Sequence, residues 1–371
     1  MRVVVVVGTR PEAIKMAPLV MELRRRGTAE ICLFATGQHR ELLQQALAPF
    51  GLTPDIVLSP ARRGGRLNDL TAAIVGGFDT HLADLQPDIV LTHGDTTSAM
   101  AASLAASQRG IPVGHVEAGL RSHDLASPWP EEANRRIIDA VASHFFAPTD
   151  CARDNLIREG AAAARIHVTG NTVVDALRHM LSRQDADAVG LARSRLSYGA
   201  FLDAPTKILV TCHRRENWGD PLARICAALR IIAADPDLSL LQPLHGNPAV
   251  AAPVSAALSG LRNVHLVPPA DYGDFLYLLS RSDIVITDSG GVQEEAVSIG
   301  KRVLVLRNTT ERPEGIAAGL AELVGTDIDR IVSGVKAARL RQNAGLAASG
   351  VYGDGHAARR IADVILPSGR H

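Results

Sequence analysis

The sequence predicts an α/β protein built from two doubly wound parallel sheets. The first observation is Val3–Val7, an unbroken run of valines that is typical of a central parallel strand buried on both faces. The second is that short apolar runs alternate with segments of helical period, which indicates βαβ units. The third is that this alternation pauses after Gly170 and starts again at Ile208, so the chain contains two similar halves.

Short apolar runs predict the remaining strands of the first half. They are Ile31–Ala35, Ile56–Leu58, Ile89–Thr92, Val113–Val116, Phe145–Ala147 and Ile166–Val168. The second half repeats the rhythm without repeating the sequence. Its predicted strands are Ile208–Thr211, Leu238–Leu241, Val264–Val267, Ile284–Thr287 and Val303–Leu306. A length of 371 residues favours two domains of about 150 to 200 residues each, and a last helix is expected over 357–366.

Composition and charge limit the classes of function. Hydrophobic residues make up 46% of the chain and charged residues 21%, which is the balance of a soluble globular protein. Lys plus Arg and Asp plus Glu both number 39, so the net charge gives no reason to expect nucleic-acid or membrane binding. The four cysteines lack the spacing of a disulfide framework or a zinc site, and no apolar run of about 18 residues predicts a membrane span. We therefore expect a cytoplasmic protein in which any anion site is local.

The stretch Asp288–Glu295 has the composition of a strand end, a glycine turn and a helix start. Gly290 and Gly291 let a ligand approach the backbone, and a helix N-terminus offers unpaired N–H groups to an anion such as phosphate. A carboxylate one helical turn further on, at Glu294 or Glu295, suits the hydroxyl groups of a sugar. The stretch therefore predicts a nucleotide-sugar site, and its alternative is an ordinary tight strand-to-helix turn.

Further polar residues follow the carboxyl ends of successive predicted strands, where ligands of open parallel sheets bind. Each has an ordinary alternative, because Asp95 has the setting of a helix cap and Lys15 or His213 that of a surface residue. Together they favour a catalytic site in a cleft lined by both halves. The set comprises Arg10, Lys15, Gln38, Asp95, Glu117, Glu131, His213, His245, Ser289 and Arg312.

Eight short motifs occur in order along the chain. They are GTRPEAIKMAP at 8–18, TGQHR at 36–40, HGDTT at 93–97, GHVEAGLR at 114–121, PWPEEANR at 128–135, HRREN at 213–217, DSGGVQEE at 288–295 and TTERPE at 309–314. This set resembles the signature of the non-hydrolysing UDP-N-acetylglucosamine 2-epimerases. The resemblance implies a GT-B fold, in which two Rossmann-like domains face a cleft. It places the domains at 1–170 and 171–352, with a C-terminal helix of about 353–371 packing back on the first domain.

The resemblance also implies a reaction, the interconversion of UDP-GlcNAc and UDP-ManNAc without NAD. In that family, the C1–O bond to UDP breaks and the C2 proton is removed to leave a 2-acetamidoglucal, after which UDP and a proton add back on the other face. By resemblance, Asp95, Glu117 and Glu131 are the acid and base candidates, with their division of roles left open. His213 and Lys15 are the cationic or proton-donating members. No cofactor or metal is expected, and the family suggests a homodimer that supplies ManNAc for cell-surface polysaccharide.

Residues that bind UDP are implied in the same way. They are Arg10, Lys15, His213, Phe275, Ser289, Gly290, Gly291, Glu295 and Arg312. A second UDP-GlcNAc can activate members of that family through residues that resemble Gln38, Arg66 and His245. Ala270 departs from the family pattern, because some relatives carry Gln there, and this leaves recognition of the base to backbone groups.

Three other functions fit parts of the pattern. An epimerase for a related UDP-2,3-diacetamido sugar would share the motifs, since they recognise UDP and the elimination more than the sugar substituents. A hydrolysing epimerase would release free ManNAc. A GT-B glycosyltransferase or a nucleotide-sugar binding protein would share the fold and the Gly290-Gly291 pair, but it would not need His213 or acids on both sides of C2.

Overall fold

A computed structural model describes residues 1–38, 40–59, 66–186, 188–341 and 350–366. The chain divides into two compact units. Unit 1 comprises Met1–His179 together with the chain from Tyr352 onward, and unit 2 comprises Met180–Val351. The domain limits of 1–170 and 171–352 stay a prediction, because compactness does not test which segments fold independently.

Unit 1 contains a sheet of seven parallel strands within the described residues. The strands are β1 (Arg2–Val7), β2 (Glu30–Ala35), β3 (Ile56–Val57), β4 (Ile89–His93), β5 (Val113–Val116), β6 (His144–Ala147) and β7 (Ile166–Val168). Their order across the sheet is β3–β2–β1–β4–β5–β6–β7, with every neighbouring pair parallel. Val3 to Val7 are all buried, as expected for a central strand covered on both faces.

A helix follows each of these strands. The helices are α1 (Arg10–Arg26), α2 (Arg40–Leu47), α3 (Leu67–Leu85), α4 (Thr97–Gln108), α5 (Glu131–Val141), α6 (Asp150–Arg158) and α7 (Thr172–Ala186), with 3₁₀ turns at Ala48–Phe50 and Ala163–Arg165. One face of the sheet packs on α3 through aromatic rings. The Phe34 and Phe78 ring centroids lie 4.7 Å apart in an edge-to-face arrangement, within the range that aromatic pairs prefer.

Unit 2 contains six parallel strands within the described residues, in the order β10–β9–β8–β11–β12–β13. The strands are β8 (Thr206–Thr211), β9 (Leu238–Pro243), β10 (Val264–Val267), β11 (Ile284–Thr287), β12 (Arg302–Val305) and β13 (Ala321–Leu323). The helices are α8 (Ala188–Leu202), α9 (Asp220–Ile232), α10 (Pro248–Leu258), α11 (Tyr272–Arg281), α12 (Gly290–Ser298), α13 (Pro313–Ala317) and α14 (Ile328–Leu340), with a 3₁₀ turn at Arg215–Asn217.

The last helix, α15 (Ala357–Ile365), belongs to unit 1. The Asp175 carboxylate accepts the backbone N–H groups of Ala357 at 3.1 Å and Ala358 at 2.9 Å, which satisfies the start of the helix. Arg26 on α1 donates to the Asp363 carboxylate at 2.7 Å. These contacts attach the C-terminal helix to α1 and α7.

The predicted fold class of two doubly wound parallel sheets is confirmed, and each of the twelve predicted strands is present with small shifts at its ends. The sequence reasoning missed β13, because this three-residue edge strand carries the exposed Glu322 at its centre and shows no apolar run. None of the helices within the described residues has the length and apolar character needed to cross a membrane.

Candidate active site

The turn between β1 and α1 in unit 1 is organised by Glu12. This buried carboxylate accepts the backbone N–H groups of Gly8 at 2.9 Å and Thr9 at 2.6 Å, and the Thr96 hydroxyl at 2.6 Å. Burial raises the pKa of Glu12, and the hydrogen bonds and the nearby His93 oppose that rise. Glu12 therefore joins the loop after β1 to the loop after β4. We did not select it as a site residue, although its place three residues after Thr9 is a helix-start signal.

Helix α1 carries two of the predicted cations. Arg10 is its first residue and is half-buried, and no described residue accepts a hydrogen bond from its guanidinium group. Lys15 lies one turn further on and is buried, with its Nζ donating to Glu117 Oε2. The structure thus brings two predicted site residues, Lys15 and Glu117, into direct contact, and it leaves Arg10 as an accessible cation.

Glu117 follows β5 directly and has an unusual backbone. Its φ is 68°, in the left-handed region that costs energy for a residue with a Cβ, and such strain persists chiefly at functional sites. Besides Lys15, its Oε2 accepts the Asn171 side-chain amide at 2.7 Å and lies 3.5 Å from His93 Nε2. A buried carboxylate is therefore held between a cation, an amide and an imidazole. Sequence reasoning did not select Asn171 or His93.

Asp95, in the loop after β4, is linked to α5. The buried Arg135 donates to the Asp95 carboxylate, and the Asn134 side chain donates to the Asp95 backbone carbonyl at 2.9 Å. The Asp95 side chain remains 26% exposed. It is therefore fixed in direction while one side stays open to a ligand.

Glu131 and Glu132 begin α5 but have different surroundings. Glu132 is fully buried and accepts the Ser122 backbone N–H at 3.0 Å and Arg135 Nε at 3.1 Å. Burial raises the pKa of Glu132, but these donors outweigh burial and bring the pKa below its ordinary value. Glu131 is only half-buried. Glu132 therefore supports the loop, and Glu131 is the less buried acid of the pair.

His115 on β5 connects the loop after β4 to helix α5. It is fully buried, with Nε2 at 2.8 Å from the Gly94 carbonyl oxygen and Nδ1 at 2.6 Å from Asp139. Arg121 also donates to Asp139, at 2.6 Å. The turn that carries Asp95 is therefore fixed to the segment that follows Glu117.

In unit 2, Asp288 organises the loop that carries His213. This fully buried carboxylate accepts the backbone N–H groups of His213 at 3.0 Å and Arg214 at 2.9 Å, and the Asn217 side-chain amide at 3.0 Å. Asn217 also donates to the Leu306 carbonyl at 3.2 Å. The loops after β8, β11 and β12 are thus tied together. The first residue of the DSGGVQEE motif positions His213.

The His213 ring stacks on the ring of His245, with centroids 6.0 Å apart and an interplanar angle of 8°. Its side chain is 42% exposed, and its Nδ1 lies 3.4 Å from Asp288 Oδ1. Burial lowers the pKa of His213, and Asp288 opposes this by favouring the charged form. His245 Nδ1 accepts the Asn247 backbone N–H at 3.1 Å, which fixes the ring to the start of α10.

The N-terminus of α12 has the form predicted from Gly290 and Gly291. Ser289 is the N-cap residue, and the Gln293 N–H is the donor to the Ser289 carbonyl, so the N–H groups of the first turn lack an acceptor within the helix. A Cβ on Gly290 would lie 2.5 Å from Arg312 Nη1, whereas a Cβ on Gly291 would meet nothing within 4 Å. Gly290 therefore makes room for the Arg312 guanidinium, and Gly291 leaves backbone open to a ligand.

Glu295 on α12 and Phe275 on α11 lie on two helices that a hydrogen bond joins. The buried Glu295 accepts the Tyr272 hydroxyl at 2.9 Å, which links α12 to the first residue of α11. Phe275 is half-buried one turn along α11. The structure therefore brings the predicted ribose and uracil residues onto adjacent helices, and it adds Tyr272 to the set.

The residues predicted for a second ligand have separate environments. Gln38 Oε1 accepts the Ser98 hydroxyl at 2.7 Å in unit 1. Arg66, at the start of α3, pairs with Asp69 at 3.0 Å and is 78% exposed. The 64–65 segment beside Arg66 lies outside the described residues.

Comparison with known proteins identifies the family. The family model for UDP-N-acetylglucosamine 2-epimerase matches residues 21–366. The chain belongs to the UDP-N-acetylglucosamine 2-epimerase family. It is 47% identical to UDP-N-acetylglucosamine 2-epimerases of Escherichia coli K12 and of Yersinia pestis, over 98% and 97% of both chains respectively. Members of this family are epimerases, which are isomerases.

Solved structures of the UDP-N-acetylglucosamine 2-epimerase family have the same fold. The Neisseria meningitidis enzyme bound to UDP-GlcNAc matches with a TM-score of 0.95 and 42% identity, covering 99% of this chain and 100% of that one. The Methanocaldococcus jannaschii enzyme in complex with UDP-GlcNAc and UDP matches with a TM-score of 0.87 and 29% identity, over 99% and 100%. The predicted class of two Rossmann-like parallel-sheet domains, the GT-B type, is confirmed.

Proposed function

We propose that the chain catalyses the reversible C2 epimerisation of UDP-GlcNAc and UDP-ManNAc by eliminating UDP and adding it back. The observation that carries the proposal is the Lys15–Glu117 pair. This pair supplies a buried carboxylate at a strand end, on a residue whose backbone is strained. A relative of the same family, from Neisseria meningitidis, is described as bound to UDP-GlcNAc. Such a carboxylate is suited to proton transfer at carbon.

The proposed steps conserve atoms and electrons. A base removes the C2 proton while the C1–O bond breaks and its electron pair leaves with UDP, giving a 2-acetamidoglucal. An acid then delivers a proton to the other face of C2, and the UDP oxygen re-forms the bond to C1. Substrate and product have the same oxidation state, so the sequence of steps needs no NAD.

Unit 1 supplies the proton-transfer groups in this proposal. Asp95, Glu117 and Glu131 are the acids and bases, because each follows a strand end or begins a helix at the same edge of the sheet. Lys15 fixes the Glu117 carboxylate and adds positive charge near the departing UDP. Arg10 binds phosphate, since no described residue already occupies its guanidinium.

Unit 2 holds the nucleotide in this proposal. The first-turn N–H groups after Ser289 and the Arg312 guanidinium surround the diphosphate, which develops charge as the C1–O bond breaks. Glu295 accepts hydrogen bonds from the ribose, and Phe275 packs against uracil. His213 donates a hydrogen bond to the leaving diphosphate, with Asp288 holding its backbone in place.

Hydrogen exchange and isotope scrambling test the proposal. Purified protein is incubated in deuterated water with UDP-GlcNAc that carries ¹⁸O in the bond between C1 and the β-phosphate. We expect UDP-ManNAc with deuterium at C2, and ¹⁸O moving to non-bridging positions in recovered substrate. The Glu322→Gln variant, altered at an exposed β13 residue, serves as the control with unchanged rates.

Three outcomes would overturn the proposed mechanism. Epimer formed without solvent deuterium would exclude proton exchange at C2. Deuterium incorporation without ¹⁸O scrambling would exclude cleavage of the C1–O bond. Accumulation of free ManNAc would indicate a hydrolysing enzyme.

Four further proposals come from the family resemblance. They are a homodimer, a cytoplasmic location, supply of ManNAc for cell-surface polysaccharide, and activation by a second UDP-GlcNAc through Gln38, Arg66 and His245. Activation predicts a sigmoidal dependence of the initial rate on UDP-GlcNAc. A hyperbolic dependence of the initial rate in the wild-type protein would contradict activation through a second site.

A further inference from the structure

Five charged side chains of unit 2 form a continuous line of ion pairs, which we call the Glu216–Glu294 chain. Arg307 donates from Nε to Glu216 at 3.0 Å and from Nη1 to Glu311 at 2.8 Å. Arg312 donates from Nη1 to the other Glu311 oxygen and from Nε to Glu294 at 2.6 Å. The charges therefore alternate along the whole line.

Glu311 is the centre of the Glu216–Glu294 chain. Its two carboxylate oxygens contact different guanidinium groups, so it connects Arg307 to Arg312. Both arginines and Glu311 are buried, and only Glu216 at the end is substantially exposed, at 39% of its side chain. Burying charges is costly, and packed apolar residues often give equal stability, so such a line needs a reason beyond stability.

The Glu216–Glu294 chain reaches α12, where Arg312 contacts Glu294 and also lies against Gly290, the first residue of the helix. Arg312 is held at two points of its planar fork, Nε and Nη1, which fixes the plane of the guanidinium. That plane crosses Gly290, where a Cβ would lie 2.5 Å from Nη1 and 3.0 Å from Nη2. The line of charges therefore sets the direction of a cation at the helix end.

We infer that Glu311 is a positioning residue for the diphosphate site, holding the Arg312 guanidinium across the start of α12 with Arg307 and Glu216 as its anchor. The inference rests on the proposed function, in which Arg312 contacts the diphosphate. Glu216 lies in the 3₁₀ turn that follows His213, so the same line connects the His213 loop to the diphosphate site.

The Glu311→Gln variant tests the inference by calorimetric titration. Its amide keeps the shape but places an N–H₂ group against one of two guanidinium donors. We expect the Kd for UDP to rise at least about tenfold, the scale of one charge-assisted hydrogen bond. The Kd for uridine, which has no phosphate, stays unchanged. The Glu322→Gln variant is the matched control and binds both ligands like the wild type.

A double-mutant cycle with Arg312→Gln identifies the route of the effect. If Glu311 acts through Arg312, adding Glu311→Gln to Arg312→Gln leaves the Kd for UDP unchanged. The same fold-loss in both backgrounds, or an equal loss for uridine, would overturn the inference and assign Glu311 to general support of the loop. A wild-type protein that fails to bind UDP would refute the proposed function itself.

Glu216→Gln provides a second variant in case Glu311→Gln does not fold, because Glu216 is half exposed. Losing the anchor loosens Arg307 and thus Glu311, so we expect the Kd for UDP to rise about threefold, the scale of a weakened exposed ion pair. Uridine binding again stays unchanged. Wild-type UDP affinity in this variant would remove Glu216 and Arg307 from the positioning role.

Discussion

The strand-end loops of unit 1 and unit 2 both bury carboxylates, but they pair them differently. In unit 1, Glu117 has a strained backbone and contacts Lys15, the Asn171 amide and His93, and Asp95 keeps an open side. In unit 2, Asp288 accepts three donors and Glu311 lies between two guanidinium groups. The carboxylates of Asp288 and Glu311 thus accept their hydrogen bonds from the protein itself.

This difference indicates two uses of the same residue type. A carboxylate that transfers protons needs a lone pair free for substrate, and its partners must hold it without saturating it. A carboxylate that aims a cation or a backbone segment performs best when fully occupied. We therefore expect changes at the acids of unit 1 to affect turnover, and changes at Asp288 or Glu311 of unit 2 to affect nucleotide affinity.

The largest effect on stability is expected for Lys15→Met. It leaves the buried Glu117 without its cation, and breaking a buried ion pair costs about 3 to 5 kcal/mol of unfolding free energy. Denaturant titration measures it. Lys336→Met, at an exposed position of α14, should change stability by less than about 0.5 kcal/mol. Equal stability of the two variants would show that Glu117 does not depend on Lys15.

The next effect concerns turnover. Asp95→Asn, Glu117→Gln and Glu131→Gln should each lower kcat by about two orders of magnitude or more, the usual scale of general acid and base catalysis. UDP affinity should change little, because these acids are proposed to transfer protons at C2 and not to contact UDP. Steady-state rates with calorimetric UDP titration separate the two quantities. A variant that keeps near-normal kcat would remove its acid from the mechanism.

The sequence predicts the residues proposed to contact substrate better than it predicts the residues that position them. Asp95, Glu117 and Gly290 can be found from the sequence, because each lies in a short motif whose residue types are unusual for a strand or a turn. The positioning residues are harder to find, because the role of His115 or Glu311 depends on contacts across 24 and 4 residues of chain and on complete burial. The alternation of apolar runs and helical segments predicts the strands, but it does not predict which donor binds a given carboxylate.

A smaller effect is expected for Glu295→Ala in unit 2. If Glu295 accepts ribose hydroxyls, UDP should bind more weakly by about 1.5 to 3 kcal/mol, the scale of a hydrogen bond to a charged group. Pyrophosphate, which has no ribose, should bind as before. Tyr272→Phe removes one donor to Glu295 and should lower the free energy of unfolding by about 0.5 to 1.5 kcal/mol. Equal loss of UDP and pyrophosphate in Glu295→Ala would make this acid a support of the fold.

The last prediction compares two neighbouring glycines, Gly290 and Gly291, of which Gly291 should show almost no effect. Gly290→Ala places a Cβ 2.5 Å from Arg312 Nη1, and Arg312 is not free to yield because Glu294 and Glu311 hold it, so we expect a loss of about 1 to 3 kcal/mol in stability. UDP and pyrophosphate should both bind more weakly, since the displaced cation serves the diphosphate. Gly291→Ala meets nothing within 4 Å and should leave stability unchanged or raise it by up to about 1 kcal/mol, as Ala favours helix. Thermal unfolding of both variants is the measurement. If Gly290→Ala were as stable as Gly291→Ala, the guanidinium would be mobile, and the tight pairing that distinguishes unit 2 from unit 1 would not hold at Arg312.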